Sequence, residues 1–359
     1  MYTTSSESLA DFDALLILSF GGPEGMDDVE PFLDNVFRGL RVTPETKQKI
    51  AARYALFGGV SPIAGETRAL VTAVRQHLAT AGCTLPVYLG NRNWHPMLVD
   101  TVRQMRDDGV RRALVFVTST FSSYSGCRKY REDLFEACRL VEDAPQFAKL
   151  RMSYNHPGFI AAVTARCNEV LAQLPADLRS TTPLLFTAHS LPNSMANGCD
   201  YVAQLRESCR LVAESLSHND WELVFQSNNA SYGGEKWLEP DVFDAIRRRH
   251  AEGFTRLLVM PIGFLCDHME VVLDLDIDAA ELARELGVQL MRAKTVGVHP
   301  QFVSMIGELI DERLDPTAQQ RVLGDRGVMP DRCRPGCCPS GRGGPMKPAL
   351  CGSDPLEEN

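Results

Sequence analysis

A short stretch near residue 270 combines an apolar run with side chains that can bind a metal ion or carry protons. In GFLCDHMEVVLDLDI, residues 263–277, these side chains are Asp267, His268, Glu270 and Asp274, and two acids follow at Asp276 and Asp278. Glu270, Asp274 and Asp278 are four residues apart, a spacing that on a helix aligns three carboxylates along one edge. Such a row suits a hydrated divalent cation or a proton relay.

Two other interpretations of this acidic stretch stay open. The letters VVLDLDID alternate with a period of two, as a half-buried strand would. Acids near a helix start are also common on solvated surfaces, where they favour the helix dipole. A helix that begins near Asp267 is the simpler interpretation, because AAELARELG at 279–287 continues with helical spacing.

A second candidate is His189, which ends a strand-like apolar run in FTAHSLP. A lone histidine is more often a structural hydrogen-bonding group than a ligand. At the carboxyl end of a sheet strand, where α/β proteins bind ligands, a neutral imidazole can instead bind a metal or accept a proton near neutral pH. We therefore expect His189 to face the segment that carries His268 and Glu270.

Six apolar, β-rich runs predict the strands that must position these side chains, and they form two sets of three in matching order. They cover residues 13–23, 85–94, 111–121, 182–192, 221–230 and 255–265. Helical spacing is found at 65–81, 96–108, 201–217 and 240–252, and a last helix is expected at 299–314. Strands of this kind that alternate with helices are typical of parallel sheets covered on both faces.

The predicted fold class is therefore α/β, with two similar, doubly wound, Rossmann-like lobes and a cleft between them at the strand ends. We expect an N-terminal lobe over residues 1–170, a link near 161–180, and a C-terminal lobe over 171–325 that carries the histidine and the acidic helix. Residues 326–359 form a Cys-rich tail.

Composition and charge restrict the function. The chain has 359 residues, of which 44% are apolar and 23% charged, an ordinary balance for a globular protein. Its net charge of −9 argues against a nucleic-acid partner, because phosphate binding needs a basic face. The sequence shows neither a transmembrane run nor a secretion signal, so we expect a cytoplasmic protein.

Five segments together resemble the ferrochelatases, the metal-inserting enzymes that end haem synthesis. They are SFGGP, FGGVSPI, FTAHSLP, WLEPDV and PIGFLCDHMEVVLDLDID, within about residues 10–315. The resemblance implies a porphyrin between the two lobes and ferrous iron as a substrate. It also implies that His189 binds the metal or accepts pyrrole protons, with Glu270 as its partner across the ring. Asp274 and Asp278 then continue the acidic ladder, with His268 nearby.

We also predict side chains that bind the ring itself. The candidates for apolar walls are Phe20, Trp94, Tyr124 and Trp237. The candidates for polar anchors are Arg38, Ser61 and Arg92. Phe20 departs from family members that have a tyrosine in this segment, so we expect no tyrosinate contact to the metal here.

The tail is unusually rich in cysteine, because four of the 11 cysteines fall within the last 27 residues. In a long chain of this kind, metal or cluster ligation is the better expectation than disulfides. Some ferrochelatases hold a [2Fe–2S] cluster, and the resemblance implies Cys127, Cys333 and Cys338 as ligands here. The cysteine that the family has just upstream is absent, so Cys337, or alternatively Cys351, has to supply the fourth thiolate. A reduced or loosely zinc-binding tail is the alternative.

The segments GGPEG, GNRNW and YSGCRKYRED look most like actinobacterial-type members. Coproporphyrin III is therefore the favoured substrate, with protoporphyrin IX as the alternative. The expected partners are the porphyrin and ferrous iron, and the chain is expected to be a monomer or homodimer. A non-catalytic porphyrin or haem carrier, or a redox sensor, is the competing function.

Overall fold

The structure, a computed structural model, describes residues 12–40, 42–228, 235–315 and 317–350. Within these residues the strands form two four-stranded parallel sheets. The first contains β1 Ala14–Ser19, β2 Val87–Asn91, β3 Arg112–Val117 and β4 Gln146–Lys149, and the second contains β5 Leu184–His189, β6 Trp221–Gln226, β7 Arg256–Met260 and β8 Gln289–Arg292. The spatial orders are β2-β1-β3-β4 and β6-β5-β7-β8, so the second sheet repeats the topology of the first.

Helices pack on the two sheets. They are α1 Met26–Val36, α2 Pro44–Ala55, α3 Pro62–Thr80, α4 Leu98–Asp107, α5 Lys129–Arg139, α6 Pro157–Leu171, α7 Ala176–Arg179, α8 Asn193–Ala196, α9 Tyr201–Ser215, α10 Val242–Ala251, α11 Met269–Val271, α12 Ala279–Leu286 and α13 Pro300–Leu314. A π-helical turn, Tyr124–Arg128, precedes α5, and a second π-helical segment, Val272–Asp278, joins α11 to α12. None of the described helices has the length and apolar character that crossing a membrane requires.

The predicted α/β class, the six apolar strands and the duplicated order are confirmed. All six residues of β1, ALLILS, are buried, as expected for a parallel strand covered on both faces. The prediction missed β4 and β8, whose sequences QFAK and QLMR are short and only partly apolar. Both lie at a sheet edge, where one side of the strand meets solvent and a continuous apolar run is not required.

The two sheets share one apolar core. A single cluster of buried side chains includes Leu15 of the first sheet and Phe186 of the second. Phe302 of α13 contacts Phe116 of β3 and Phe159 of α6 at ring-centroid distances of 6.2 and 6.5 Å. The expected link therefore contains a buried helix, α6, and the last helix, α13, packs on α3 of the first half. The division near residue 170 stays a prediction.

The tail residues up to 350 run along the body of the protein. The backbone N–H of Leu323 donates to the carbonyl oxygen of Asn155 at 2.9 Å, and that of Leu350 donates to the carbonyl oxygen of Arg131 at 3.2 Å. Ala349 is fully buried. The Leu350 contact attaches the Cys-rich segment to α5, the helix that follows the turn containing Cys127, and the Leu323 contact lies just before this segment.

Candidate active site

His189 is the last residue of β5 and lies level with Gln226 of β6. The hydroxyl of Tyr201 donates to its carbonyl oxygen at 3.1 Å and holds the strand end. Its Nδ1 lies 2.5 Å from the carbonyl oxygen of Ser190. A carbonyl oxygen can only accept, so Nδ1 carries a hydrogen, and in the neutral imidazole Nε2 has the free lone pair. The local geometry thus presents a metal-binding or proton-accepting atom at the sheet's carboxyl end.

Glu270 meets this atom from another part of the chain. It lies in the short helix that opens after His268, and its Oε2 is 3.6 Å from Nε2 of His189. Burial opposes the charged form of both groups, but their contact outweighs it. The pKa of His189 is raised, and the pKa of Glu270 is lowered to about 2. Their side chains are still 30% and 39% exposed, so a ligand can reach the pair.

Asp274 lies one step further along the same helix and is buried. Its Oδ2 accepts hydrogen bonds from Nε2 of Gln226, at 3.2 Å, and from the Ser227 hydroxyl. Gln226 is fixed in turn by the Thr187 hydroxyl at 2.8 Å. Burial raises the pKa of Asp274 to about 6, and the nearby charge of Glu270 contributes to the same shift. A carboxyl group with this pKa can exchange protons near neutral pH.

Asp278 ends the π-helical segment and is exposed to solvent. Partial burial raises its pKa, and the positive charge of Arg53 opposes that shift. The three predicted acids therefore run from the His189 contact, through a buried carboxyl group, to the surface. The wider π-helical turn that carries Asp274 and Asp278 is a feature often found at functional sites.

The neighbouring acids have a different role. Arg292 of β8 forms ion pairs with Asp267, at 2.9 Å, and with Asp276, at 2.6 Å, so these two carboxylates bind the helix to the sheet. His268 packs its ring against Phe264, with centroids 4.9 Å apart. Burial lowers the pKa of His268, which keeps this imidazole neutral near the Glu270 carboxylate.

The first half of the chain supplies an apolar wall beside this site. Phe20 follows β1 and contacts Phe32 of α1 edge to face, with centroids 6.2 Å apart. Trp94 and Tyr54 also contact Phe32, at 6.4 and 5.7 Å. This cluster includes Met269, the residue before Glu270, so the wall and the acidic helix pack directly on each other.

The remaining predicted ring-binding residues are not all equally accessible. Trp237 lies beside His189, with ring centroids 6.4 Å apart. Ser61 is buried at the start of α3, and Arg38 is exposed at the end of α1. The Arg92 side chain is 8% exposed, forms an ion pair with Asp133 at 2.6 Å and lies 5.4 Å from the centroid of the Phe20 ring. Arg92 thus contacts the Phe20 ring and already has a carboxylate partner in Asp133.

The polar contact of Tyr124 is made with α5. Its hydroxyl donates to Glu132 at 3.0 Å. Burial and then the charge of Glu132 raise the pKa of Tyr124 to about 12. Its role as a wall for the ring stays a prediction.

Two residues at the site were missed from the sequence. Burial and then the charge of Glu270 raise the pKa of Tyr54, and Arg53 acts electrostatically on Glu270 and Asp278. Both belong to α2, whose segment PETKQKIAARYA was not predicted as a helix. A signal was present, because Thr43 followed by Pro44 is a typical helix start, and the Thr43 hydroxyl does accept from the N–H of Thr46.

The four proposed cluster ligands within the described residues come together. Electrostatic and hydrogen-bonding contacts link Cys127 to Cys333, Cys333 to Cys337, and Cys337 to Cys338. Cys127 is buried, and the three tail thiols are partly exposed. In the described ranges, no three His, Cys, Asp or Glu side chains are spaced as ligands around a metal ion. Cys351 lies outside the described residues.

Known proteins and a family model match this chain over most of its length. The chain matches the model of the ferrochelatase family over residues 12–314. A ferrochelatase of Rhodopirellula baltica is 47% identical, over 98% of this chain and 99% of its own length. The coproporphyrin III ferrochelatase of Streptomyces coelicolor is 43% identical over 96% of each chain, and that of Frankia alni is 44% identical over 96% and 90%.

Solved chelatase structures share the fold. SirB from Bacillus subtilis with Fe3+ has a TM-score of 0.54 and 10% identity, covering 86% of this chain and 98% of its own. The sirohydrochlorin chelatase SirB from Bacillus subtilis subspecies spizizenii, in complex with cobalt, has a TM-score of 0.52 over the same shares. At this identity the likeness concerns the fold alone. The family match covers most of the chain and includes both His189 and Glu270, and the chain belongs to the ferrochelatase family.

Proposed function

We propose that this protein inserts ferrous iron into coproporphyrin III, and that His189 and Glu270 carry the reaction. The observation that carries the proposal is the contact between the two side chains, one at the end of β5 and the other in α11, which meet at 3.6 Å. Family membership supports an enzyme that inserts iron into a porphyrin. A passive porphyrin carrier would not need this acid–base pair, so its presence favours an enzyme.

Metal insertion has to remove two protons from the pyrrole nitrogens. The hydrogen on Nδ1 of His189 is held by the Ser190 carbonyl, so Nε2 is the atom that accepts a proton. The adjacent Glu270 carboxylate stabilises the imidazolium that forms, which is why the pKa of His189 is raised. Positioned acid–base groups of this kind typically contribute about 10²–10⁴-fold to a rate.

The protons then need a route to water. Asp274, with a pKa of about 6, is able to accept a proton and release it near neutral pH. Asp278 follows at the surface. In this proposal Glu270, Asp274 and Asp278 pass protons outward along the helix, and the same oxygens guide a hydrated ferrous ion inward.

The substrate preference rests on two supports. Several similar proteins are named coproporphyrin III ferrochelatases, at 42–44% identity. Arg53 lies on α2 and acts electrostatically on Glu270, and Arg38 follows α1 and donates to Asn35. Among the described residues, neither arginine forms an ion pair with a carboxylate. These guanidinium groups suit the propionates of a tetracarboxylate ring, since arginine binds carboxylates through two parallel hydrogen bonds.

The test is an anaerobic assay in which Fe²⁺ is mixed with coproporphyrin III or, separately, with protoporphyrin IX. Loss of porphyrin fluorescence is followed for the wild type, His189→Ala, Arg53→Gln and the control Arg103→Gln, an exposed arginine of α4. We expect faster turnover with coproporphyrin III, none in His189→Ala, and a selective loss with that substrate in Arg53→Gln. Binding of both porphyrins without insertion would refute the enzyme assignment.

We further propose that the tail binds a [2Fe–2S] cluster through Cys127, Cys333, Cys337 and Cys338. The donor set is suitable, because four thiolates are what such a cluster requires. Cys337 is preferred to Cys351 because it already contacts Cys333 and Cys338. When bound, the cluster would supply a one-electron redox centre and would join the tail to the turn that carries Cys127.

This part is tested by purifying the protein anaerobically and measuring visible absorbance, iron and inorganic sulfide. We expect Cys337→Ser to lose the cluster and Cys351→Ser to keep it. Cys127→Ser should lose the visible absorbance and lower the melting temperature together. Unchanged stability in Cys127→Ser would contradict the structural role.

A further inference from the structure

Two cations are buried next to the tail cysteines. Arg131 of α5 is 3% exposed and Lys149 at the end of β4 is 6% exposed. Both line a small cavity between α5, the sheet and the tail, whose other walls include Leu18, Phe147 and Leu350. Burying a positive charge among such apolar groups is costly unless a negative charge lies close by.

Arg131 contacts a tail thiol directly, and Lys149 lines the same cavity. Nη2 of Arg131 donates to Sγ of Cys337 at 3.3 Å, and its own carbonyl oxygen accepts from Leu350 of the tail. Nζ of Lys149 donates to the neutral carbonyl oxygen of Leu150 at 2.8 Å. Lys149 and Arg131 both interact electrostatically with Cys127.

We propose that Arg131 and Lys149 are the counter-charges of the cysteine site and raise the reduction potential of the cluster held there. The proposal rests on the cluster assignment made above. A cluster held by four thiolates is an anion, and the electron that it gains on reduction makes it more negative. Net charge and hydrogen bonds to the sulfurs set the potential of such centres, so buried cations favour the reduced form.

Burial decides which cations act. Arg334 and Arg342 also belong to the tail but are exposed, so solvent and salt screen their charges. Arg131 and Lys149 are shielded from solvent, and their effect on a neighbouring anion is correspondingly larger. Arg342→Gln is therefore a matched control that removes one tail cation without removing a buried one.

The experiment is a redox titration of the anaerobically purified protein, in which the reduced cluster is followed by electron paramagnetic resonance. At the wild-type midpoint, we expect Arg131→Gln and Lys149→Gln each to lower the ratio of reduced to oxidised cluster by about tenfold, equivalent to ~59 mV for one electron. Arg342→Gln should change the ratio less than twofold, and Arg131→Lys should lie close to the wild type.

A second measurement separates this role from a general effect on folding. In cluster-free protein, removing a buried cation should change the melting temperature less than in cluster-loaded protein, because the interaction with the cluster anion is then absent. In the cluster-loaded protein the same substitution should lower it. An intact cluster with an unchanged reduction potential in both Gln variants would refute the role of Arg131 and Lys149 but leave the cluster assignment standing. A wild type that binds no cluster overturns the cluster assignment and this inference with it, leaving porphyrin insertion untouched.

Discussion

The two sheets have the same topology, but the side chains at their carboxyl ends differ in chemical type. The first sheet ends in Phe20 and Trp94, which join an apolar cluster with the aromatic residues of α1 and α2. The second ends in His189 and leads to Glu270 and Asp274, whose pKa values are all displaced by burial and by one another. In the function proposed above, a duplicated scaffold provides a wall from one half and proton chemistry from the other.

This difference predicts that substitutions in the two halves change the kinetics in different ways. Groups that act on protons contribute mainly to the chemical step, whereas a wall contributes to binding in ground state and transition state alike. Substitutions in the second half should lower kcat, and substitutions in the first half should raise KM. Four substitutions test the comparison, in order of decreasing effect.

The largest effect is expected for Glu270→Gln. The substitution keeps the size of the side chain but removes the charge that stabilises a protonated His189. We expect kcat to fall about 10²–10³-fold, with porphyrin affinity within about threefold of the wild type. Steady-state kinetics and fluorescence titration measure the two quantities. An equal loss in both would mean that Glu270 belongs to the binding wall.

Asp274→Asn should have the next largest effect on activity, with kcat lowered about 10–100-fold. The wild-type rate should rise with pH through about 6, the pKa of this group, as Asp274 becomes ionised. The variant should lack that limb of the pH profile. An unchanged profile would exclude Asp274 from the proton route.

The same variant makes an opposite prediction for stability. The pKa of Asp274 is about 6 in the folded protein, against an ordinary value of 3.8 for an aspartate side chain. The folded form therefore prefers the proton and loses stability as pH rises through that window. Asp274→Asn removes this loss, and we expect about 1–3 kcal/mol of added stability at a pH of about 7.5. Denaturant unfolding near pH 4, roughly the unfolded pKa, should show little or no gain.

Phe20→Leu tests the other half of the comparison. A smaller apolar side chain keeps the cluster filled but reduces the aromatic surface offered to a ring. We expect KM for the porphyrin to rise about 3–10-fold, corresponding to the roughly 1 kcal/mol that an aromatic contact contributes, with kcat nearly unchanged. A fall in kcat alone would show that the first half also takes part in the chemical step.

The smallest effect is expected for Asp276→Asn, within the acidic stretch itself. This carboxylate pairs with Arg292 and is 34% exposed, so the pair stabilises the fold by about 1 kcal/mol or less. Activity should stay within twofold of the wild type. A large loss would mean that the whole acidic stretch, rather than one edge of it, serves the reaction.

Much of the architecture follows from local patterns in the chain. Apolar runs with small or polar endings are sufficient to predict six strands, because a strand buried on both faces needs continuous apolar residues. The four-residue spacing of Glu270, Asp274 and Asp278 predicted a helix, and the structure has one there, with a π-helical segment in its middle. The edge strands β4 and β8 were missed because a half-exposed strand leaves a weak pattern.

Which of these side chains come into contact depends on the tertiary structure. His189 and Glu270 are separated by most of the second half, and Cys127 is more than two hundred residues from Cys333, so no local spacing reports their contacts. It also separated the acids at 267 and 276, which pair with Arg292, from those at 270 and 274. Burial and charge, which set the pKa of each group, depend on neighbours that the chain brings together only when it folds.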